Sequence, residues 1–205
     1  MDSCDAPTRR IFFLSLACGV TAAIGGCRAN HAWHNTDVDG SLPALSFTMT
    51  RANDGKEVTA EDYRGKVVLL YFGYTFCPDV CPLTLTNAAH AIAALGVAAD
   101  RVKLLFVTVD PDRDSLANLK AYAAAFGPHV DALRGNANQL AAFARRYRVA
   151  YSVDPGGAGK PYAVMHGSAI YAFDPHGRVR LLISSLSTDH PEIVGTTADL
   201  RALLR

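Results

Sequence analysis

The sequence has no excess of charge of either sign, since 20 Lys and Arg residues stand against 19 Asp and Glu residues and the formal net charge is +1. It therefore lacks the basic stripe with which proteins usually bind nucleic acid. It also has no internal repeat, no low-complexity segment and no serine-centred hydrolase motif. What it has is 205 residues, 50% of them hydrophobic, which suits one globular domain with a substantial core.

The start of the chain differs in character from the rest. Arg9 and Arg10 precede an uncharged run, 11–24, and small residues follow up to Cys27 in "IGGC". This pattern predicts a signal peptide over residues 1–26, and the run is too short to be read first as a membrane-spanning helix. The ending resembles a bacterial lipobox, in which Cys27 would carry the lipid.

Ordinary cleavage and an uncleaved anchoring helix remain alternatives to lipidation. "TRRIFFL" also resembles a twin-arginine export signal. We therefore expect a protein at the periplasmic face of the bacterial cell envelope, held to the membrane by a lipid on Cys27 or by an uncleaved signal anchor.

Cysteine is scarce once the leader is removed. Cys4 and Cys18 leave with residues 1–26, so the exported part keeps Cys77 and Cys81 besides the candidate anchor. Thiols outside the cytoplasm tend to be oxidised, so this close pair is expected to form a disulfide unless a metal or a reductant prevents it. A pair of inert core cysteines is the third interpretation.

Apolar patterns predict the secondary structure of the remaining chain. Residues 27–43 are polar and aperiodic, which predicts a tether, and residues 44–205 form the predicted domain. Hairpins are predicted at 45–58 and 168–184. Central parallel strands are predicted at 66–73 and 102–110.

Three further segments have apolar residues at the spacing of a buried helix face. The three stripes are Leu85, Ala88, Ala89, Ile92 and Leu95; Leu116, Leu119, Tyr122, Ala123 and Phe126; and Leu140, Phe143, Ala144 and Tyr147. We expect Asp114 to cap the second helix and Asn136 the third, with a last helix at the chain end. The predicted class is α/β, with a central mixed β-sheet flanked by helices and an N-terminal hairpin.

The cysteine pair lies where open α/β sheets usually form their sites, between the end of a strand and the start of a helix. A spacing of four in a helical turn places Cys77 and Cys81 on one face, with Cβ atoms about 5–6 Å apart. The amides and dipole of a helix start stabilise an anion there. The pair can therefore chelate a soft metal ion or close into a disulfide.

Two thiolates leave a soft metal short of ligands, and His166 is the histidine that the topology favours as a third. It precedes the predicted strand at 168, and an antiparallel strand would begin at the edge where the parallel strands end. A Cys2His set occurs at catalytic zinc, while thiolates also select Cu(I) and imidazole suits copper, so the residues alone leave the metal open.

The motifs together resemble the SCO/SenC family, which is thioredoxin-like, membrane-tethered and copper-binding. The resemblance rests on "GKVVLLYFGYTFCPDVCPLTL" (65–85), "FVTVDPDRDSLANLKAYAAAFG" (106–127), "RYRVAY" (146–151) and the late His166. It implies a thioredoxin-like fold and a three-coordinate Cu(I) site on Cys77, Cys81 and His166, with a further oxygen or nitrogen donor for Cu(II).

Two functions follow from that resemblance. One is a copper metallochaperone for the copper A centre of cytochrome c oxidase, supplied by another periplasmic copper carrier and kept reduced by a thioredoxin-like protein. The other is a thiol-disulfide oxidoreductase that uses the Cys77 and Cys81 pair to reduce the cysteines of that centre or to defend against peroxide, so enzymatic activity stays open. The CxxxC spacing and the histidine in place of the usual thioredoxin proline favour metal binding.

The family pattern also places acidic residues near the site and shows one departure. Asp79 and the acids of 110–114 are expected near the metal or at the following helix start. The family usually has aspartate before the distal histidine and serine or threonine after it, where this chain has Met165 and Gly167. Met165 is expected to pack as an apolar residue, with a thioether ligand as the alternative.

Overall fold

An eight-stranded mixed β-sheet runs through the middle of the computed structural model, which describes residues 31–157, 159 and 162–205. The strands within these residues are β1 (Thr36–Asp37), β2 (Thr48–Arg51), β3 (Glu57–Thr59), β4 (Val67–Gly73), β5 (Val102–Thr108), β6 (Val130–Arg134), β7 (Tyr151–Asp154), β8 (Ala163–His166), β9 (Ile170–Phe173) and β10 (Val179–Ile183). The α-helices are α1 (Val80–Ala93), α2 (Leu116–Ala124), α3 (Ala137–Arg146) and α4 (Ile193–Leu203).

The strand order of the sheet is β1-β10-β9-β4-β5-β6-β2-β3. Strands β4, β5 and β6 are parallel, and the remaining neighbours pair antiparallel. Strands β7 and β8 form a separate antiparallel pair. The predicted α/β class with a mixed sheet, flanking helices and an N-terminal hairpin is confirmed.

The central strand β4 is buried on both faces, which explains its unbroken apolar sequence. Val67, Leu69 and Tyr71 join one core cluster, to which α1, α2 and α4 contribute buried residues. The alternate residues Val68, Leu70 and Phe72 join the cluster that includes α3. Each fully buried side chain of this size contributes about 1.5–3 kcal/mol. Strand β4 is therefore rigidly packed, and it fixes the position at which the following loop begins.

Strand β6 was not predicted because two of its five residues are charged. Its Asp131 is buried, and the carboxylate accepts hydrogen bonds from the Tyr63 hydroxyl (2.9 Å) and from Lys103 Nζ (3.2 Å). A buried charge is tolerated where it is paired and hydrogen-bonded. These partners come from elsewhere in the chain, so the local sequence did not reveal the strand.

The segment predicted as a tether belongs in part to the domain. Residues Ala32–Arg205 form one unit, and β1 pairs with β10 at the edge of the sheet. The Asp199 carboxylate accepts hydrogen bonds from the backbone N–H groups of His34 (3.1 Å) and Asn35 (2.9 Å). Residues 32–43 therefore contact the domain, which the sequence did not indicate because backbone pairing of a polar segment leaves no apolar period; the domain start at residue 44 stays a prediction.

The predicted signal peptide over 1–26 and Cys27 lie outside the described residues. Among the residues that the structure does describe, no helix is both long and apolar enough to reach across a lipid bilayer.

Candidate metal centre

The two cysteines lie in the loop after β4 and in the first turn of α1. Helix α1 begins at Val80, with Asp79 at its N-cap, and the exposed Asp79 side chain forms no capping hydrogen bond. Instead, the Cys81 N–H donates to Cys77 Sγ at 3.4 Å. The sulfur of Cys77 thus takes up one of the amides that a helix start leaves unpaired.

Cys81 is wholly buried, whereas Cys77 is only partly buried. Burial raises the pKa of Cys81 to about 12, so its thiol is protonated at neutral pH in the metal-free protein. Gly73 makes room for this sulfur: a Cβ on Gly73 would lie 2.9 Å from Cys81 Sγ and 2.6 Å from Phe106 Cε2. A glycine at the end of β4 is therefore a steric requirement of the site.

His166 comes to the cysteines from the second, two-stranded sheet. It ends β8, opposite Tyr151 of β7, and its Nε2 lies 3.2 Å from Cys81 Sγ. Its Nδ1 lies 3.0 Å from the carbonyl oxygen of Gly167. Because a carbonyl oxygen can only accept, Nδ1 carries the hydrogen and Nε2 presents its lone pair to the sulfur. Burial lowers the pKa of His166, which keeps the ring neutral.

The structure brings together the three residues that the sequence singled out. One ligand atom each from Cys77, Cys81 and His166 lies within 4.8 Å of the others. Two sulfurs and a neutral imidazole nitrogen are the donors that soft and borderline metal ions prefer. The Gly167 carbonyl fixes the orientation of the His166 ring, as the hydrogen-bond partners of metal-bound histidines do. The residues present therefore fit a metal ion of this class.

The reason for choosing His166 was partly right. Strand β9 does run antiparallel to β4, as predicted, but it begins at Ile170. His166 belongs to β8, a strand that the sequence reading did not recognise. The short β7–β8 pair, rather than the start of the predicted hairpin, orients its ring.

Asp114 does not cap α2, contrary to the sequence prediction. The N-cap is Ser115, whose hydroxyl accepts from the Asn118 N–H at 3.1 Å. The buried Asp114 carboxylate accepts from the Thr75 N–H (3.0 Å), the Thr75 hydroxyl (2.5 Å) and the Thr108 hydroxyl (2.6 Å). It thereby ties the cysteine loop to the end of β5. The predicted cap at Asn136 is confirmed by its bond from the Gln139 N–H at 2.9 Å.

Met165 is 71% exposed, so the predicted apolar packing role is wrong. It sits on a strand of the small sheet whose residues alternate between exposed and half-buried positions. Alternation along a strand separates neighbouring residues onto opposite faces. The position before His166 is therefore an outward one.

The sequence reading missed the aromatic and charged groups around the centre. Tyr71 and Tyr74 approach the His166 ring edge-on, with centroids 6.1 and 5.8 Å away. Burial raises the pKa of Tyr71, and the Cys81 sulfur is the next largest cause. Both tyrosines lie in the apolar run before the cysteines. A hydroxyl-bearing side chain in such a run is the sequence feature that could have indicated their place at the site.

A second group links three segments beside the cysteine loop. Asp110 accepts from the Tyr162 hydroxyl and from Arg113 Nε, both at 2.6 Å. The Arg113 guanidinium lies 3.6 Å from the Tyr162 ring centroid and 4.8 Å from that of Phe76, which is 53% exposed. Two acids of the "DPDRD" motif, Asp110 and Asp114, thus lie near the cysteine loop through contacts with neighbouring side chains.

With this geometry described, comparison with known proteins shows the family. The family model described as SCO1/SenC matches residues 39–202. The chain belongs to the SCO1/SenC family. A curated relative, the mitochondrial SCO2 homolog of Bos taurus, is 42% identical over 118 residues, which cover 57% of this chain and 44% of that protein. The chain spans about half the length of the curated relatives it matches.

Solved structures of the family share the fold. The copper-bound structure of ScoI from Bradyrhizobium japonicum is 36% identical, with a TM-score of 0.68 and coverage of 78% of this chain and 98% of that one. BsSco, described as a member of the Sco family of cytochrome c oxidase assembly proteins with a disulfide switch, is 21% identical, with a TM-score of 0.64 and coverage of 84% and 98%. The thioredoxin-like fold expected of the family is confirmed.

The predicted location is contradicted by the curated relatives. SCO proteins of cattle, mouse, human and yeast are named as mitochondrial. This finding overturns the expectation of a lipoprotein at the periplasmic face of a bacterial envelope. The physical reason is that arginines before an apolar segment direct chains to more than one membrane system, so this pattern does not specify the compartment.

Proposed function

We propose that this protein is a copper metallochaperone that carries copper on Cys77, Cys81 and His166 and supplies it to the copper A centre during assembly of cytochrome c oxidase. The observation that carries the proposal is the convergence of two sulfurs and an unprotonated imidazole nitrogen within 4.8 Å. Thiolates select Cu(I), and imidazole suits copper in either oxidation state. Copper in ScoI and the description of BsSco support the choice of cargo and of partner.

The unequal burial of the two sulfurs suits a carrier that must also release its cargo. Cys77 is partly exposed and is the sulfur that a donor or acceptor protein can reach first. Cys81 lies deeper, and His166, which is half-buried like Cys77, completes the ligand set. Binding of copper displaces the Cys81 thiol proton to solvent, and the neutral His166 ring offers its Nε2 without losing a proton.

A thiol-disulfide oxidoreductase is the second candidate function. Both cysteines are free thiols, and their sulfurs lie within 4.8 Å of each other. Passing two electrons and two protons to a disulfide of a partner protein would leave a Cys77–Cys81 disulfide, which a thioredoxin-like reductant would have to reopen. The disulfide switch of BsSco supports this chemistry in a protein of the same fold.

The orientation of His166 favours the metallochaperone as the main function. Disulfide exchange needs the two sulfurs alone, yet the imidazole Nε2 lies 3.2 Å from the buried Cys81 sulfur and adds a third donor atom that suits a metal ion. We propose that the thiol pair must be reduced before copper enters. The proposed partners therefore include a thioredoxin-like protein that reduces the pair. A copper carrier that supplies the metal is a further proposed partner.

The test is a Cu(I) titration of the reduced protein against a chromophoric chelator. The wild type is compared with His166→Ala and with the control His90→Ala, which removes an exposed histidine from α1. We expect one equivalent of Cu(I) in the wild type and the control. Loss of a ligand should weaken binding by at least about 100-fold, above the 10–100-fold cost of losing an outer partner. Unchanged copper affinity in His166→Ala, together with retained disulfide-reductase activity, would reject the metallochaperone in favour of the reductase.

A further inference from the structure

Two tyrosine hydroxyls in the core cluster around Cys81 are buried without a hydrogen-bond partner. In the described part of the chain, Tyr71 and Tyr122 are the tyrosines in this state. By contrast, the Tyr63 hydroxyl donates to Asp131 at 2.9 Å and the Tyr147 hydroxyl donates to the Ala44 carbonyl at 3.0 Å. A buried donor without an acceptor costs stability, so its retention calls for a physical reason.

The position of Tyr71 directs it toward the buried sulfur. Tyr71 and Gly73 are two residues apart on β4 and therefore point to the same face of the sheet. That face is the one that Cys81 packs against, since a Cβ on Gly73 would lie 2.9 Å from Cys81 Sγ. Tyr71 and Cys81 are both 0% exposed, and the Tyr71 ring also meets His166 edge-on.

After burial, the groups that act on the pKa of Tyr71 are the sulfurs of Cys81 and Cys77 and the hydroxyl of Thr84, which itself donates to the Val80 carbonyl at 2.7 Å. In the metal-free protein, the Cys81 S–H faces His166 Nε2, so the sulfur is neutral and accepts only weakly. When a metal displaces this proton, the sulfur becomes an anion, and a hydrogen bond to an anion is about twice as strong as a neutral one.

We propose that the Tyr71 hydroxyl is a positioning residue that donates a hydrogen bond to the Cys81 thiolate once the metal is bound. The donor is pre-placed in the apo protein, and its acceptor arises when the S–H bond breaks, the metal–sulfur bond forms and the proton leaves to solvent. The phenol keeps its own proton throughout. This inference rests on the proposed function, because it concerns the metal-bound state of that site.

The experiment compares the wild type with Tyr71→Phe and with Tyr122→Phe as the matched control. Tyr122→Phe also removes a buried, unpartnered hydroxyl next to the same cluster, but Tyr122 lies on α2 and not on β4 beside Gly73. Three quantities are measured on the full chain. They are the Cu(I) affinity by chelator competition, the energy of the thiolate-to-Cu(II) charge-transfer band, and the free energy of unfolding of the metal-free protein.

We expect Tyr71→Phe to bind Cu(I) about tenfold more weakly, equivalent to about 1.4 kcal/mol. Its charge-transfer band should move to lower energy, because hydrogen bonds to a coordinated sulfur tune the electronic properties of the site. The metal-free variant should be as stable as the wild type or more stable, since only an unpartnered group is lost. Tyr122→Phe should retain the wild-type affinity within about twofold, with an unmoved band.

Three results would overturn the inference. One is wild-type affinity and an unmoved band in Tyr71→Phe. Another is a loss of metal-free stability in that variant, which would show that the hydroxyl serves the fold, for example through Thr84. The third is an equal effect of Tyr122→Phe, which would indicate general polarity of the core. A wild type that binds no copper rejects the proposed function and the inference together, whereas normal wild-type binding with an unaffected Tyr71→Phe rejects the inference alone.

Discussion

Cys81 Sγ lies 3.2 Å from His166 Nε2, although 85 residues separate the two in the chain. Cys81 is fixed by the first turn of α1 on the main sheet, and His166 by the end of β8 in the small sheet. Each residue is therefore held by a different part of the fold, and their contact exists only when both parts are in place. A metal that bridges them gains a ligand that the unfolded chain does not hold in place, so it binds the native state more tightly and stabilises it.

The first prediction concerns pH: Cu(I) affinity should rise with pH through the neutral range. Burial raises the pKa of Cys81 to about 12, so this thiol must release a proton when it binds metal. Burial lowers the pKa of His166, so the ring is already neutral and competes with protons only under more acidic conditions. Each thiol proton that binding releases strengthens the apparent affinity about tenfold per pH unit, so the proton from Cys81 by itself gives a slope of at least about tenfold. Chelator competition at several pH values measures this slope.

Proton release can be measured independently in weakly buffered solution when Cu(I) is added. Thr197→Ser, a change remote from the three ligands, serves as a handling control and should give the wild-type slope. An affinity independent of pH, with no released proton, would show that Cys81 is already ionised or does not bind the metal.

Gly73→Ala should destabilise the protein and disturb the metal centre. The added Cβ would lie 2.6 Å from Phe106 Cε2 and 2.9 Å from Cys81 Sγ, and both neighbours are buried and cannot move freely. Overpacking of this kind costs about 1–3 kcal/mol. Urea denaturation measures the loss, and Cu(I) titration measures the damage to the site. Gly167→Ala is the matched control, because a Cβ there meets nothing within 4 Å. Equal stability of the two variants would contradict the steric account.

The sequence alone was sufficient for the parts of the fold that repeat a local pattern. The apolar runs at β4 and β5 predicted central parallel strands, and these pair in register from Val67 with Val102 to Gly73 with Thr108. The cysteine pair was recognisable because its spacing of four matches a helical turn. His166 could be selected because chain topology limits which residues reach the end of β4, even though its own strand was not recognised.

The parts that escaped prediction depend on contacts between distant residues. Asp114 resembled a helix cap, yet it is a buried acceptor for Thr75 and Thr108. Residues 32–43 resembled a tether because their pairing uses backbone groups and the Asp199 carboxylate. The proposed role of Tyr71 depends on the lack of a hydrogen-bond partner for its buried hydroxyl, which no local sequence pattern records.

Asp114→Asn should destabilise the protein and weaken metal binding. The carboxylate accepts three hydrogen bonds, two of them from Thr75, which lies two residues before Cys77. An amide offers one accepting oxygen and cannot replace all three, and bonds to charged groups are worth about 1.5–3 kcal/mol each. We expect a loss of about 1–3 kcal/mol in the free energy of unfolding, since an amide retains part of the network. Thermal and urea unfolding measure this loss.

Asp112→Asn is the matched control for that change, because Asp112 is exposed in the same loop. It should be neutral within about 0.5 kcal/mol, as surface substitutions usually are. If the two variants were equally stable and bound Cu(I) equally well, the Asp114 network could not be what holds the cysteine loop.

The last prediction concerns the start of the folded domain. A chain that begins at residue 44 loses β1, which pairs with β10, and leaves the Asp199 carboxylate without the backbone donors of His34 and Asn35. Partly buried Trp33, which packs against the core cluster, is lost as well. A chain that begins at residue 32 keeps all of these contacts. We expect the shorter chain to be less stable by at least about 2 kcal/mol, the cost of removing hydrogen-bond donors from a buried charged acceptor.

Calorimetry of the two chains measures that difference, and Asp199→Ala in the longer chain separates its causes. If the carboxylate is the main anchor, this variant should approach the stability of the shorter chain while its copper site stays intact, because Asp199 is not among the three clustered ligands. Equal melting temperatures for the two chains would mean that residues 32–43 contact the domain without stabilising it. The boundary at residue 44, inferred from the polar, aperiodic sequence, would then describe the folding unit better than the contacts do.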